Sequence, residues 1–499
     1  MPYCPTMTVV LAIDAGTTGV RTIAFGADGS IVAQAHREFT QHFPQPGWVE
    51  HDADEIWDAI TLVLSEVARA VRELGHEIAG IGITDQRETV VVWDRTTGRP
   101  LHRAIVWQDR RTADRCARLE RDGALPLVRS TTGLVLDPYF SATKLEWLLT
   151  EGGVDPRQAL MGTIDSWVIH RLTGGSAHVT DVTNASRTML FDITTLEWSR
   201  ELCDLFGVPI DMLPEVVASS GRVAVTASDS PVGGGVPISG IAGDQQASLF
   251  GEACFTPGMA KNTYGTGSFV LMNVGERCPT PVDGLLTTIA WGLPDGSGAI
   301  IPTYAYEGAV FVSGSAVQWL RDGLRIIDTS SDIDALAASV DDTDGVVLVP
   351  AFTGLGSPWW DPRARGGVFG ITRGTTRAHL ARATIESIVM QATDVIEAMS
   401  GASGFPIVEL RADGGGASDL VLQLQADALG VSIRRPVVAE TTALGAAVLA
   451  GLAEGVWDSQ ASIAAQWRSD ALFDPRPDDT LDSRRARWRR AVERTLDWA

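Results

Sequence analysis

Residues 8–21 read TVVLAIDAGTTGVR: a β-branched apolar run from Thr8 ends at Asp14, turns through Gly16-Thr17-Thr18-Gly19, and passes at Arg21 into a second strand-like stretch, RTIAFGADGSIVAQAHREF. The pattern predicts an opening β-meander. The strand delivers a carboxylate to the turn, the glycines let backbone N–H groups approach phosphate oxygens, the threonine hydroxyls add donors, and Arg21 adds charge. A hairpin whose glycines only supply positive φ accounts for the same residues. The turn fits neither GxxxxGK[ST] nor GxGxxG.

The motif recurs. Tyr264-Gly265-Thr266-Gly267-Ser268-Phe269 joins two strand-like runs in KNTYGTGSFVLMN, roughly 250 positions after the first turn. A third glycine cluster, Asp413-Gly414-Gly415-Gly416-Ala417-Ser418, follows the strand IVELRAD. A helix is expected from about Ser418, with Leu420, Leu424 and Leu429 inward. This third turn suits an adenine face or a phosphate at the helix N-terminus, and a plain strand-to-helix turn explains it as well. A second buried strand, Ile78 to Thr84, follows a helix around Ile56 to Leu74 and ends in Asp85-Gln86-Arg87-Glu88. GVVLVPAF reads as another buried strand, IDTSSDIDALAASVDDTDG as a surface helix with flanking loops, and RRARWRRAVERTLDWA as an amphipathic helix over a tryptophan stripe.

At 499 residues the chain exceeds what one core organises, so two α/β domains facing a cleft are expected, residues 7–250 and 251–499. A formal charge of -22 argues against nucleic acid, whose recognition needs clustered cations. It does not argue against a nucleotide, because glycines, helix N-termini and a cation supply local positive potential. Five cysteines, Cys4, Cys116, Cys203, Cys254 and Cys278, stand scattered with no metal-type spacing, as suits a reducing cytoplasm. MPYCPTMTVVLAID has no basic region ahead of an apolar run, and no apolar stretch is long enough to span a bilayer, so neither secretion nor a membrane span is expected. Met7 reads as an alternative start.

Two segments offer acid and base chemistry. Ile241-Ala242-Gly243-Asp244-Gln245-Gln246 sets an aspartate where a strand should pass into a helix. Asp244 is either an N-cap or the base that takes a hydroxyl proton in phosphoryl transfer, with Gln245 holding the substrate beside it. Gln86-Arg87-Glu88-Thr89 presents a cation and a carboxylate together, either as a surface ion pair or as the mixed donors and acceptors a polyol needs. Trp107, Tyr139 and Phe269 are candidates to wall such a site, although core packing is the ordinary role of an aromatic. Histidines and carboxylates show no metal spacing, so Mg²⁺ would arrive with ATP, held by phosphates and water with Asp14 and Asp244 in its outer shell.

DAGTTGVR, PGWVEHD, GITDQRET, AIVWQDRRTA, TGLVLDPYFSATKLEWLL, DVTNASRTMLFD, PISGIAGDQQASLFG, KNTYGTGSF, GLLTTIAWG, EGAVFVSGSAVQWLRD, VPAFTGLGSPWWDPRARG and TALGAA occur in the order found in the glycerol kinases of the FGGY carbohydrate kinase family. The chain closely resembles that family from about Val9 to its C-terminus. The resemblance implies an actin-like, ribonuclease H-like fold in both domains, Asp244 as catalytic base, and glycerol held by Arg87, Glu88, Tyr139, Asp244 and Gln245 against Trp107 and Phe269. It implies nucleotide contacts from Thr17, Thr18, Gly19, Arg21, Thr266, Gly314, Gln318 and Gly415, with Gly267 in the same turn. Relatives commonly form homodimers or homotetramers.

The chain departs from the family in places. The third loop, DGGGASD, is one residue short of the form in which an asparagine meets the nucleotide, and Ser418 or Asp419 must stand in. Relatives inhibited by fructose 1,6-bisphosphate carry an arginine in the loop before PISG, whereas residues 232–237 read VGGGVP, so no such inhibition is expected. Position 15 is alanine where many relatives have glutamine, with no consequence we can attach. Two readings stay open beside glycerol: another small polyol such as erythritol or threitol, and an actin-like ATPase that phosphorylates nothing.

Overall fold

The computed structural model describes residues 7–499. Six strands form the first sheet: β1 (Thr8–Ala15), β2 (Gly19–Gly26), β3 (Ile31–Glu38), β4 (Glu77–Asp85), β5 (Ser220–Val225) and β6 (Pro237–Gly243), in the order β5-β6-β4-β1-β2-β3. Seven form the second: β7 (Met259–Tyr264), β8 (Ser268–Gly275), β9 (Leu286–Pro294), β10 (Ile300–Val310), β11 (Glu409–Asp413), β12 (Ile433–Pro436) and β13 (Ser469–Phe473), in the order β9-β10-β8-β7-β11-β12-β13. In each sheet three neighbouring strands run antiparallel, two more continue in parallel and an antiparallel edge closes. β9 is the extra edge of the second. The recurrence of the glycine-threonine turn is therefore a recurrence of topology, with β1 and β7 equivalent.

Six helices matter here: α1 (Ala53–Glu73), α2 (Asp244–Gly251), α3 (Arg377–Ser403), α4 (Asp419–Leu429), α5 (Thr441–Ala453) and α6 (Leu481–Glu493). Alternate residues of β1 take opposite sides: Val9, Leu11 and Ile13 share one core with Ile56, Ile60 and Val63 of α1, while Val10 and Ala12 meet α2, α5 and Leu271 of the second sheet. Burial on both faces is why TVVLAI reads as a continuous apolar run. α1 starts at Ala53, ahead of the expected Ile56, because Asp52 accepts the N–H groups of Asp54 and Glu55. α5 passes so close to α2 that a Cβ on Gly445 would lie 1.8 Å from the Ala247 carbonyl oxygen. Part of the stretch between Val90 and Leu213, including Phe140, Leu145 and Met161, forms a further apolar cluster with Leu286 of β9, and Tyr139 packs against it.

Three expectations are corrected. Of GVVLVPAF only Val347–Val349 is strand, paired with Gly367–Phe369 outside both main sheets. In α4, Leu424 is buried as expected but Leu420 and Leu429 only flank the core; the Ser418 cap sets a phase that turns Val421, Leu422, Gln425 and Ala428 inward instead. The tryptophan stripe of the C-terminal helix contracts to Trp488, which packs beside Ala491 and Val492 and donates to Asp394 at 2.7 Å, while Trp498 is 73% exposed. Residues 250 and 251 fall in the last turn of α2, and the second sheet begins at Met259.

Cys116, Cys203 and Cys254 are buried and Cys278 half-buried, all as free thiols; Cys4 lies outside the described residues. Among the described residues no helix is long and apolar enough to cross a membrane.

Candidate active site

The carboxyl ends of β1, β4 and β6 lie side by side, with Ala15 in register with Asp85 and Asp85 with Gly243. One short edge thus presents Asp14 with the first turn, Gln86-Arg87-Glu88, and Asp244. Chemistry at strand ends follows from this geometry, because the next residues leave the sheet with side chains and backbone donors unpaired.

Arg87 is the centre of the polar cluster. Its Nη atoms donate to both carboxylate oxygens of Glu307, at 2.6 and 3.0 Å, and further to Gln246 Oε1 at 3.1 Å and the Tyr139 hydroxyl at 3.2 Å. Its Nε lies 3.2 Å from Asp244 Oδ1. Arg187 closes the circuit, donating Nε to Glu88 Oε1 at 2.7 Å and Nη2 to Glu307 Oε1 at 3.0 Å. Two guanidinium and two carboxylate groups, all buried, balance one another in charge. Burial pushes the Glu307 carboxyl up, but Arg187 and Arg87 outweigh it and hold the group at about 2. Burial prevails for Glu88, whose carboxyl is raised despite the same two cations. Glu88 sits at φ 62, a left-handed conformation rare outside glycine, with its carbonyl accepting from Ser141 Oγ at 3.1 Å. An ordinary surface ion pair is excluded for Arg87 and Glu88: both are buried and both are fixed from outside their own turn.

Asp244 is the first residue of α2, and Gly243 holds the N-cap position. The aspartate is therefore not the cap. Its Oδ1 accepts from the Gln245 N–H at 2.7 Å, and its side chain keeps 31% exposure toward the cleft. Glycine at 243 lets Arg87 pass, since a Cβ there would meet Arg87 Cγ at 2.6 Å. The aromatic wall is half assembled around this point: Trp107 and Tyr139 meet edge to face at 5.6 Å, and the Trp107 indole donates to Thr17 Oγ1 at 2.9 Å, tying the wall to the first turn. Phe269, on β8, lies opposite Thr263 and Ala309 and so shares a sheet face with Glu307 and Lys261.

The first turn is held from below by Gln86, which donates its N–H to the Ala15 carbonyl at 2.9 Å and its amide to that of Gly16 at 3.0 Å. Thr18 is exposed and Gly19 half-exposed. Arg21 pairs with Glu440 of the second half and lies 3.7 Å from Asp14. Burial pushes the Asp14 carboxyl up to about 7 against the pull of Arg21, and the Asp244 charge adds to the rise.

The second turn closes on itself through Gly265 N–H to the Gly267 carbonyl at 2.8 Å. The amides of Ser313, Gly314 and Ser315 donate to Thr266, Gly265 and Thr266 carbonyls, each at 3.0 Å, and Gly416 donates to Tyr264 at 2.9 Å. Thr266, Gly267, Gly314 and Gly415 therefore gather around the end of β7, with Gln318 exposed one turn beyond Gly314. Gly415 has open space where a side chain would stand. Ser418 accepts from the Val421 N–H at 3.3 Å as the cap of α4, so its hydroxyl is already engaged. The two groups of candidates meet through α2, where Ser248 donates to Asp413 at 3.4 Å and Lys261 donates to Gln245.

Arg187, Glu307 and Lys261 were not singled out in the sequence. A signal was present for two of them: Lys261 and Glu307 each interrupt a strand run otherwise destined for burial, MAKNTY and TYAYEGAV, and a charge there needs a partner.

The N-terminal domain model of the FGGY family of carbohydrate kinases matches residues 9–251 and its C-terminal domain model residues 260–454. A glycerol kinase of Bordetella parapertussis is 52% identical over 497 residues, covering 98% of this chain and 97% of that protein. One of Geobacillus kaustophilus is 55% identical over 476 residues, covering 94% and 95%. The crystal structure of Plasmodium falciparum glycerol kinase with ADP superposes with a TM-score of 0.93 at 36% identity, covering 99% of both chains. Gluconate kinase of Lactobacillus acidophilus, with a TM-score of 0.85 at 22% identity over 98% of this chain and 97% of that one, shares the fold. The paired sheets, the carboxylate at the start of α2 and the full-length likeness agree: the chain belongs to the FGGY family of carbohydrate kinases.

Proposed function

We propose that this chain transfers the γ-phosphoryl group of ATP to a terminal hydroxyl of glycerol, forming sn-glycerol 3-phosphate and ADP. The contact of Asp244 with Arg87 at 3.2 Å carries the reading, because it sets an accessible carboxylate at the border between a buried polar cluster and a glycine-threonine turn. Asp244 accepts the hydroxyl proton as the oxygen forms its bond to phosphorus and the bond to the ADP oxygen breaks. Arg87, Glu88, Tyr139 and Gln245 hold the polyol oxygens, with Trp107 and Phe269 covering its carbons. Thr17, Thr18, Gly19 and Arg21 meet the phosphates from the first half. Thr266, Gly267, Gly314, Gln318 and Gly415 hold the nucleotide from the second, with Ser418 at the edge of its site. The domains are residues 7–250 and 251–499, closing on each other to exclude water.

Mg²⁺ fits the residues present. Asp244 is close enough that its charge adds to the rise of the Asp14 carboxyl, and an added cation would relieve that repulsion. Among the described residues no cluster of three ligating groups exists, so phosphates and water would complete the shell around Asp14 and Asp244. When bound, the ion neutralises charge on the transferred group. We further infer a cytoplasmic homodimer or homotetramer acting in glycerol catabolism.

Purified chain incubated with glycerol and ATP·Mg²⁺ should yield glycerol 3-phosphate by ³¹P NMR, with kcat/KM for glycerol above that for erythritol or threitol. ADP release without glycerol 3-phosphate, or a higher kcat/KM on a four-carbon polyol, overturns the assignment.

A further inference from the structure

Two residues of the first half that face the cleft are each gripped by a buried charge from the second sheet: Arg87 by Glu307 of β10 and Gln245 by Lys261 of β7. The second grip has a chemical consequence. An ammonium has three donors and no acceptor, so Lys261 can meet the Gln245 amide only at its oxygen. Its remaining protein contact is to Thr263 Oγ1 at 2.9 Å, and the side chain is fully buried. With Oε1 engaged, Gln245 turns Nε2 outward, and among the described residues that nitrogen has no hydrogen-bond partner. It stands next to Asp244, a carboxylate that only accepts.

We propose that Lys261 is a positioning residue that locks the Gln245 amide with its donor face toward the polyol, so that the site offers an acceptor at 244 beside a donor at 245. A substrate with hydroxyls on neighbouring carbons is matched by that pair: one oxygen gives its proton to Asp244 and the next accepts from Gln245. Without the ammonium nothing holds the donor face toward the polyol, and the amide can turn its oxygen outward, setting two acceptors side by side.

A purely structural role explains Lys261 poorly. α2 is docked to the second sheet without it, through Ser248 to Asp413, through Arg411 to the Glu252 carbonyl, and through Ala247, Leu249 and Phe250 in the apolar layer. Burying an ammonium costs free energy that an apolar side chain of equal length would avoid. Burial indeed lowers the Lys261 pKa, while the carboxylates of Asp413, Asp244 and Glu307 act to keep the charge.

The inference rests on the glycerol kinase reading, and the experiment separates the two. Steady-state constants are measured for wild type, Lys261→Met, Gln245→Ala, the double variant and Gln245→Glu. Lys261→Met should raise the glycerol KM about tenfold while the ATP KM moves less than about twofold, because the polyol loses the hydrogen bond of a Gln245 donor face that is no longer held. In the Gln245→Ala background the same change should add nothing to the glycerol KM. Additive effects, or equal rises in both KM values, overturn the proposal. Gln245→Glu keeps an oxygen for Lys261 and removes the donor, so its glycerol KM should also rise about tenfold. An unchanged KM there overturns the proposal even if Lys261→Met fails to fold. Wild type that makes no glycerol 3-phosphate sinks the parent reading and this one with it; active wild type with an indifferent Lys261 sinks this one alone.

Discussion

Glu307 of the second half accepts both Nη atoms of Arg87 of the first, at 2.6 and 3.0 Å, and the Nη2 of Arg187 at 3.0 Å. No solvent reaches any of these side chains to more than 2%. Such a network stabilises little relative to apolar packing, but removing one member strands the others' charge. Glu307→Ala should therefore cost about 3–5 kcal/mol, read as a lowered urea midpoint. The carboxyl is held at about 2, below its ordinary 4.5, so its contribution is complete above about pH 4.5 and is lost only as the pH falls through about 2. Wild type and variant should accordingly converge in stability only in strong acid; convergence near pH 4 would contradict the buried pair.

The two strand-turn-strand motifs and the placing of Asp244 where a strand passes into a helix were readable because each is encoded locally, in a few consecutive residues whose apolar run, glycines and terminal carboxylate predict one another. Arg187 and Glu307 were not, because nothing near them in DVTNASRT or TYAYEGAV states that they meet Glu88 and Arg87. Long-range ion pairing leaves no spacing to read. GVVLVPAF misled for a related reason: an apolar run announces burial, and burial here is against Met390 and Trp488 rather than within a main sheet.

Asp244→Asn removes the proton acceptor and keeps the shape of the α2 start. Turnover should fall by about 10²–10⁴, the usual worth of a positioned general base. ADP affinity measured by calorimetry should stay within about threefold, since the nucleotide candidates lie on other elements. A variant with near-normal kcat would show that another group takes the proton.

Asp14 supplies a pH dependence with a definite sign. Its carboxyl is raised from 3.8 to about 7, so between those values the folded chain keeps a proton that the unfolded chain has released. Stability from this group is therefore greatest at about pH 4 and declines as the pH rises toward about 7. The melting temperature of wild type relative to Asp14→Asn should fall across that window and level off above it. ADP·Mg²⁺ binding near neutrality should also release a proton in wild type, seen as a dependence of binding enthalpy on buffer ionisation heat, and the variant should show none. Equal buffer dependence in the two proteins would remove Asp14 from the cation's surroundings.

Trp107 makes two separable contacts, an edge-to-face packing on Tyr139 and a hydrogen bond from its indole to Thr17. Trp107→Phe keeps an aromatic face and deletes the donor, so the polyol wall survives while the first turn loses an anchor. The ATP KM should rise about fivefold, the equivalent of one net hydrogen bond of about 1 kcal/mol, and the glycerol KM should change less than about twofold. Thr17→Val should reproduce the rise, with the double variant no worse than either single one, because both delete the same bond. Trp107→Ala removes the wall too and should raise the glycerol KM as well. If Trp107→Phe leaves the ATP KM unchanged while Trp107→Ala raises the glycerol KM, the indole serves only as surface for the polyol, and the turn is positioned by Gln86 and Gln41 without it.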